Sequence, residues 1–129
     1  MRYKKKDLLI DSFEVKKIAQ KYSTPLYCYS YNKIKENIKN FKKKFSLINP
    51  LICFAVKANS NKILLREIGK LGLGADVVSM GELMMALKSG INANKIVFSG
   101  VGKTTEEIKY AIKKKYSLLM LSLRVKFTK

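Results

Sequence analysis

At 129 residues with 47% hydrophobic content, the chain has the length of one domain and enough apolar side chains to bury a core, which excludes a disordered segment. Its 27 Lys+Arg against 9 Asp+Glu give a formal charge of +18, a balance that admits polyanionic partners, but the lysines are spread along the chain rather than gathered in a patch. With no histidine, no C-x-x-C pair and only two cysteines, neither a zinc site nor a secreted disulfide framework is expected.

In chain order, residues 1–13 are basic, but only Leu8, Leu9 and Ile10 precede Asp11, too short an apolar core for a signal peptide. No later stretch approaches the roughly 20 apolar residues of a membrane span, so a cytoplasmic location and no membrane partner are expected. Residues 12–22 set Phe13, Val15, Ile18 and Ala19 among lysines and predict a helix. Thr24-Pro25 ends it, because proline disfavours helical geometry at the residue before it. Leu26-Tyr27-Cys28-Tyr29 predicts a strand, and Ser30 is placed to cap a helix over 31–45, where Ile34, Ile38, Phe41 and Phe45 recur at spacings of three and four.

After Pro50, Leu51-Ile52-Cys53-Phe54-Ala55-Val56 is a continuous apolar run, as a parallel strand covered on both faces requires. Cys28 and Cys53, each among apolar neighbours, are expected to be small buried hydrophobes. A helix over about 62–71, ending at Gly72 and Gly74, leads to a strand over 75–78. A second helix over about 81–89, stopped by Gly90, leads to a strand over 95–98. The loop Ser99-Gly100-Val101-Gly102-Lys103 then opens a last helix at Thr104 or Thr105, with Glu106 and Glu107 behind it. Strand, loop and helix recur about every 20 to 25 residues, the rhythm of parallel β/α architecture. A closed β/α barrel takes roughly 250 residues, so this chain has room for about half of one.

In such folds the chemistry gathers at the carboxyl ends of the strands. Three polar segments leave successive strands there: Val56 to Asn61, Gly74 to Ser79, and Phe98 to Thr104. Lys57 follows the apolar run directly. Partial burial of its ammonium would favour the neutral amine and make it a nucleophile; the plainer reading is a lysine reaching solvent at the strand end. Asp76, inside an apolar strand, calls for a partner, either in a site or as a structural hydrogen bond. Glu82 reads equally as a site acid and as an ordinary first-turn helix acid. Gly100-Val101-Gly102-Lys103-Thr104 has the end of a phosphate-binding loop, but Val97 stands where its first glycine belongs. Gly72-Leu73-Gly74 starts a dinucleotide fingerprint that Val77 breaks. Neither motif is complete.

From Thr24-Pro25-Leu26-Tyr27 to about Tyr110, the order and spacing of these segments resemble the diaminopimelate decarboxylase branch of the ornithine/diaminopimelate/arginine decarboxylase group, whose barrel is like that of alanine racemase. The resemblance rests on Phe54-Ala55-Val56-Lys57-Ala58-Asn59-Ser60-Asn61, on Gly74-Ala75-Asp76-Val77-Val78-Ser79 leading to Gly81-Glu82-Leu83, and on Lys95-Ile96-Val97-Phe98-Ser99-Gly100-Val101-Gly102-Lys103-Thr104. It implies an α/β fold, the amino-terminal part of a TIM-like (β/α) barrel that binds pyridoxal 5'-phosphate. Lys57 then matches the family's Schiff-base lysine, and Asp76 and Glu82 fall near the cofactor in supporting roles. It further implies an amino-acid substrate, meso-diaminopimelate decarboxylated to L-lysine in lysine biosynthesis, and a homodimer that builds its active site across two subunits. Met80 departs from the family's usual glycine and is expected to crowd the turn after its strand.

The family's phosphate-binding glycines, pyridinium-binding glutamate, substrate-binding arginine and tyrosine, and second β domain are expected to fall beyond residue 129, so a truncated, inactive form is expected. By the same resemblance residues 1–24 are a lead segment, 25–117 the partial barrel, and 118–129 an out-of-frame tail, since the family continues there with a strand ending in a segment like Asn-Val-Glu-Ser. Two rivals stand beside this reading: a basic nucleic-acid-binding module, and a non-functional remnant with exposed strand edges. A genome rich in A and T would produce the lysine content without selection for nucleic acid, so no specific nucleic-acid partner is expected.

Overall fold

The computed structural model describes residues 2–4, 6–113 and 118–119. It divides into two compact units, Met1–Asn49 and Pro50–Lys129.

The first unit opens with a three-stranded antiparallel sheet, β1 (Arg2–Lys4), β2 (Asp7–Ile10) and β3 (Phe13–Glu14), in that order. The predicted helix over 12–22 is therefore shorter, α1 (Val15–Tyr22). Its first residues are taken by a tight turn in which Asp11 adopts φ +54° and Ile10 pairs with Phe13. Asp11 tolerates this left-handed geometry, and its carboxylate accepts a 2.6 Å hydrogen bond from the Ser30 hydroxyl. The predicted strand over 26–29 is not formed. Those residues follow the Thr24-Pro25 bend without regular structure, Tyr27 is 90% exposed, and Cys28 is exposed rather than buried. Their apolar composition suits a strand, but a strand also needs a neighbour to bond with. Ser30 does cap α2 (Tyr31–Lys44), its hydroxyl accepting from the Lys33 N–H at 3.0 Å.

The second unit is a four-stranded parallel sheet, β4 (Cys53–Ala55), β5 (Gly74–Val77), β6 (Ile96–Phe98) and β7 (Leu118–Leu119), whose spatial order is the chain order. Between the strands lie α3 (Lys62–Lys70), α4 (Met80–Lys88) and α5 (Thr105–Lys113). Cys53 pairs with Gly74, Ala75 with Ile96, and Val97 with Leu118, so each strand sits twenty-one positions after its partner. A sheet wound in one direction without reversal is the start of a barrel, not of a doubly wound sheet. The remaining residues predicted as tail, 120–129, lie outside the described residues.

Strand alternation gives this sheet two faces. Val56, Ala75, Val77, Ile96 and Phe98 are fully buried, in one cluster with Leu65 of α3, Leu83 and Ala86 of α4, Ile91, and Ala111 of α5. Cys53, Ala55, Asp76 and Val97, in the alternate positions, are only partly buried. Close strand packing explains two glycines. A Cβ on Gly74 would collide with the Lys95 carbonyl and lie 2.9 Å from the Cys53 sulfur, and one on Gly100 would collide with the Val78 carbonyl.

Candidate functional site

The carboxyl ends of β4, β5 and β6 lie at one edge because the strands are parallel and in register. The pairing Ala55–Asp76–Val97 brings the segments beginning at Val56, Val77 and Phe98 to one level. The Ser99 N–H donates to the Val77 carbonyl at 3.0 Å and carries this alignment one residue past β6.

Lys57 stands in a single 3-10 turn, Val56–Ala58, closed by the Asn59 N–H donating to the Val56 carbonyl at 3.1 Å. Of the two readings open in the sequence, a partly buried ammonium and a lysine reaching solvent at the strand end, the structure shows the second: Lys57 is exposed. The strand stops at Ala55, and within the turn it is Val56 that fills the core position. The asparagines that follow are committed to the backbone. Asn59 Oδ1 accepts from the Asn61 N–H at 2.9 Å, and Asn61 Oδ1 caps α3 by accepting from Ile63 at 2.9 Å and Leu64 at 3.3 Å.

Asp76 has the partner its position demands: the Ser99 hydroxyl donates to its Oδ1 across the β5–β6 pair. Its charge is also felt on β4, where burial first and the Asp76 carboxylate second push the Cys53 thiol up from its ordinary value. Glu82, in the first turn of α4, accepts from the Val78 N–H at 2.9 Å through Oε2, while its own N–H donates to the Ser79 hydroxyl at 3.3 Å. Those contacts are a helix cap, joined to the strand end that carries Asp76. Met80 does not crowd the turn; it is the first residue of α4, outside the left-handed region, and packs against the core cluster.

Two residues that sequence reasoning left out of the site tie the rim together. One is Ser99, the other Glu107. Glu107 accepts from the Met80 N–H through Oε1 and from the Thr104 N–H through Oε2, each at 2.9 Å, while the Thr104 hydroxyl accepts from the Glu107 N–H at 3.2 Å. Thr104-x-x-Glu107 is a legible capping box, but nothing local signals the reach to Met80. The bonds from the Thr104 and Met80 N–H groups hold the Glu107 carboxyl below its ordinary range. In the same loop Lys103 donates to the Gly100 carbonyl and lies 5.2 Å from the centre of the Phe98 ring. Lys103 and Thr104 are thus engaged in holding the loop, whereas a phosphate-binding loop would turn both toward its ligand.

A single-direction parallel sheet with an exposed lysine after its first strand and a carboxylate–hydroxyl pair across its next two defines a β/α domain that gathers polar groups at the carboxyl ends of its strands. Residues 31–124 match the family model described as pyridoxal-dependent decarboxylase, pyridoxal binding domain, and the chain belongs to that family, the diaminopimelate/ornithine/arginine decarboxylases. It is similar to diaminopimelate decarboxylase of Aquifex aeolicus (46% identical over 112 residues, 87% of this chain and 26% of the relative) and to that of Helicobacter pylori strain J99 (50% over 101 residues, 78% and 25%). Among solved structures, diaminopimelate decarboxylase from M. jannaschii in co-complex with L-lysine matches with a TM-score of 0.87 at 36% identity, covering 92% of this chain and 29% of that one. The chain therefore spans about a quarter of the length of the curated relatives it matches. Lysine decarboxylase from Selenomonas ruminantium shares the fold at 22% identity, with a TM-score of 0.77.

The fold is accordingly the amino-terminal part of the family's pyridoxal-binding barrel, and pyridoxal phosphate is the family's cofactor. The residues present fit it. An aldehyde requires an accessible primary amine, which Lys57 offers, and a planar ring requires an open face, which the partly buried side of the sheet at Ala55, Asp76 and Val97 provides.

Among the described residues, no group of three or more Cys, Asp or Glu is gathered as metal ligands would be, and no helix is long and apolar enough to cross a membrane.

Proposed function

We propose that this chain forms the lysine-bearing part of a diaminopimelate decarboxylase, which releases carbon dioxide from meso-diaminopimelate to give L-lysine. Lys57 holds the cofactor through its amine. The observation that carries this reading is the place of Lys57: directly after the first strand of the parallel sheet, at the level of the rim that bears Asp76 and Ser99. When bound, pyridoxal phosphate supplies an electron sink for the pair left behind as the carboxylate departs. Asp76 presents a fixed negative charge on the open face, oriented by the Ser99 hydroxyl, and Glu82 holds the end of β5 so that this face keeps its shape. The homodimer and the cytoplasmic location belong to the same proposal, as does the expectation that the 129-residue chain by itself has little or no activity.

The test is chemical trapping. Incubation of the chain with pyridoxal phosphate followed by borohydride should attach the label to Lys57 selectively among its many lysines, and Lys57→Arg should remove it. Labelling spread evenly over the exposed lysines would overturn the assignment. Carbon dioxide release from diaminopimelate by the chain alone, at a normal enzymatic rate, would overturn the expectation of inactivity.

A further inference from the structure

Glu107 lies outside every motif that carries the family resemblance, yet its carboxylate joins the starts of two consecutive helices. Oε2 is bound to the Thr104 N–H at the opening of α5, and Oε1 to the Met80 N–H, the first residue of α4 and twenty-seven positions earlier. The chain ahead of Met80 is Val78 and Ser79, which leave β5 just after Asp76; the chain ahead of Thr104 is the loop that leaves β6 through Ser99. The Asp76–Ser99 bond closes the same circuit from the other side. A single carboxylate, accepting two charge-assisted hydrogen bonds, therefore links the two loops that follow the strands on which Asp76 and Ser99 meet.

We infer that Glu107 is a positioning residue for the cofactor rim: it touches neither Asp76 nor Ser99, but holds the β5 and β6 loops at the separation in which those side chains face Lys57's end of the sheet. The inference rests on the proposed role of Lys57 and deepens it. A carboxylate is required, not merely a residue of that shape. In Glu107→Gln the side chain keeps one acceptor oxygen and turns an N–H2 group toward the other backbone donor, so one of the two links must break.

The experiment titrates the full chain with pyridoxal phosphate and reads the borohydride-fixed label on Lys57 by peptide mapping, giving a half-saturating concentration for each variant. Glu107→Gln should raise that concentration about tenfold, the scale of a typical coupling between two linked sites. Met80→Pro provides a second cut. Proline is tolerated at the first helical position and lacks the N–H, and Ser79, with φ −147° and ψ 163°, already has the extended geometry that a following proline requires. It too should raise the concentration about tenfold. Thr104→Ala is the contrast: it weakens the α5 cap but leaves both backbone donors to Glu107, so it should stay within about twofold of the parent. Parent-like values for a folded Glu107→Gln or Met80→Pro, or an equal rise in Thr104→Ala, would overturn the positioning role while leaving Lys57 in place. Absence of Lys57 labelling in the parent chain would overturn the reading beneath it, and this inference with it.

Discussion

The two cysteines show how far a single residue's chemistry depends on its neighbours. Both follow apolar residues, yet Cys28 is exposed, while burial and the Asp76 carboxylate together disfavour the Cys53 thiolate, and the thiolate is the reactive form. A short pulse of iodoacetamide on the native protein should therefore modify Cys28 well before Cys53, and Asp76→Asn should quicken Cys53 only modestly because burial, the larger cause, remains. Equal rates at the two sites in the native protein would contradict the partial burial of Cys53. Lys57 teaches the same lesson in reverse. Its location after an apolar run was legible and left both burial and exposure open; the 3-10 turn over Val56–Ala58 decides for exposure by handing the buried position to Val56. Ser99 was hidden for a related reason: only the β5–β6 pairing brings it to Asp76 from twenty-three positions away.

At the scale of elements, the second unit was legible almost throughout. Its helices α3 and α4 begin and end within a residue of the predicted limits and α5 begins at Thr105 as predicted; Asn61, Ser79 and Thr104 cap their starts. What was not legible is antiparallel pairing and its absence. Residues 2–4, 7–10 and 13–14 form a small sheet with a tight turn at Asp11, and residues 26–29 form no strand, because a strand depends on a pairing partner and not on its own composition alone. The link from Glu107 to α4 and α5 carries a pH signature. Its carboxyl titrates below the ordinary glutamate range when folded, so the stability it contributes is complete above the unfolded value and is lost as pH falls through the folded one. On acidification the melting temperature of the parent chain should thus fall more steeply than that of Glu107→Gln; parallel curves would show that the carboxylate is not engaged.

For the molecule as a whole, the hydrophobic cluster of the second unit is the common support of sheet and helices, with Phe98 the largest of its fully buried side chains. Phe98→Ala should cost about 3–5 kcal/mol, read as a lowered urea midpoint, and an unchanged midpoint would mean that the helices are held in place by something other than this core. The strands of this unit follow one another in space as they do in sequence, each twenty-one residues behind the next. Every pairing then closes a loop of the same modest length, so the entropy lost is the same at each addition and none must wait for a remote segment. As the polypeptide leaves the ribosome, β5 can dock on β4 before β6 has been made, and β6 on β5 before β7, so assembly keeps pace with synthesis from the amino end.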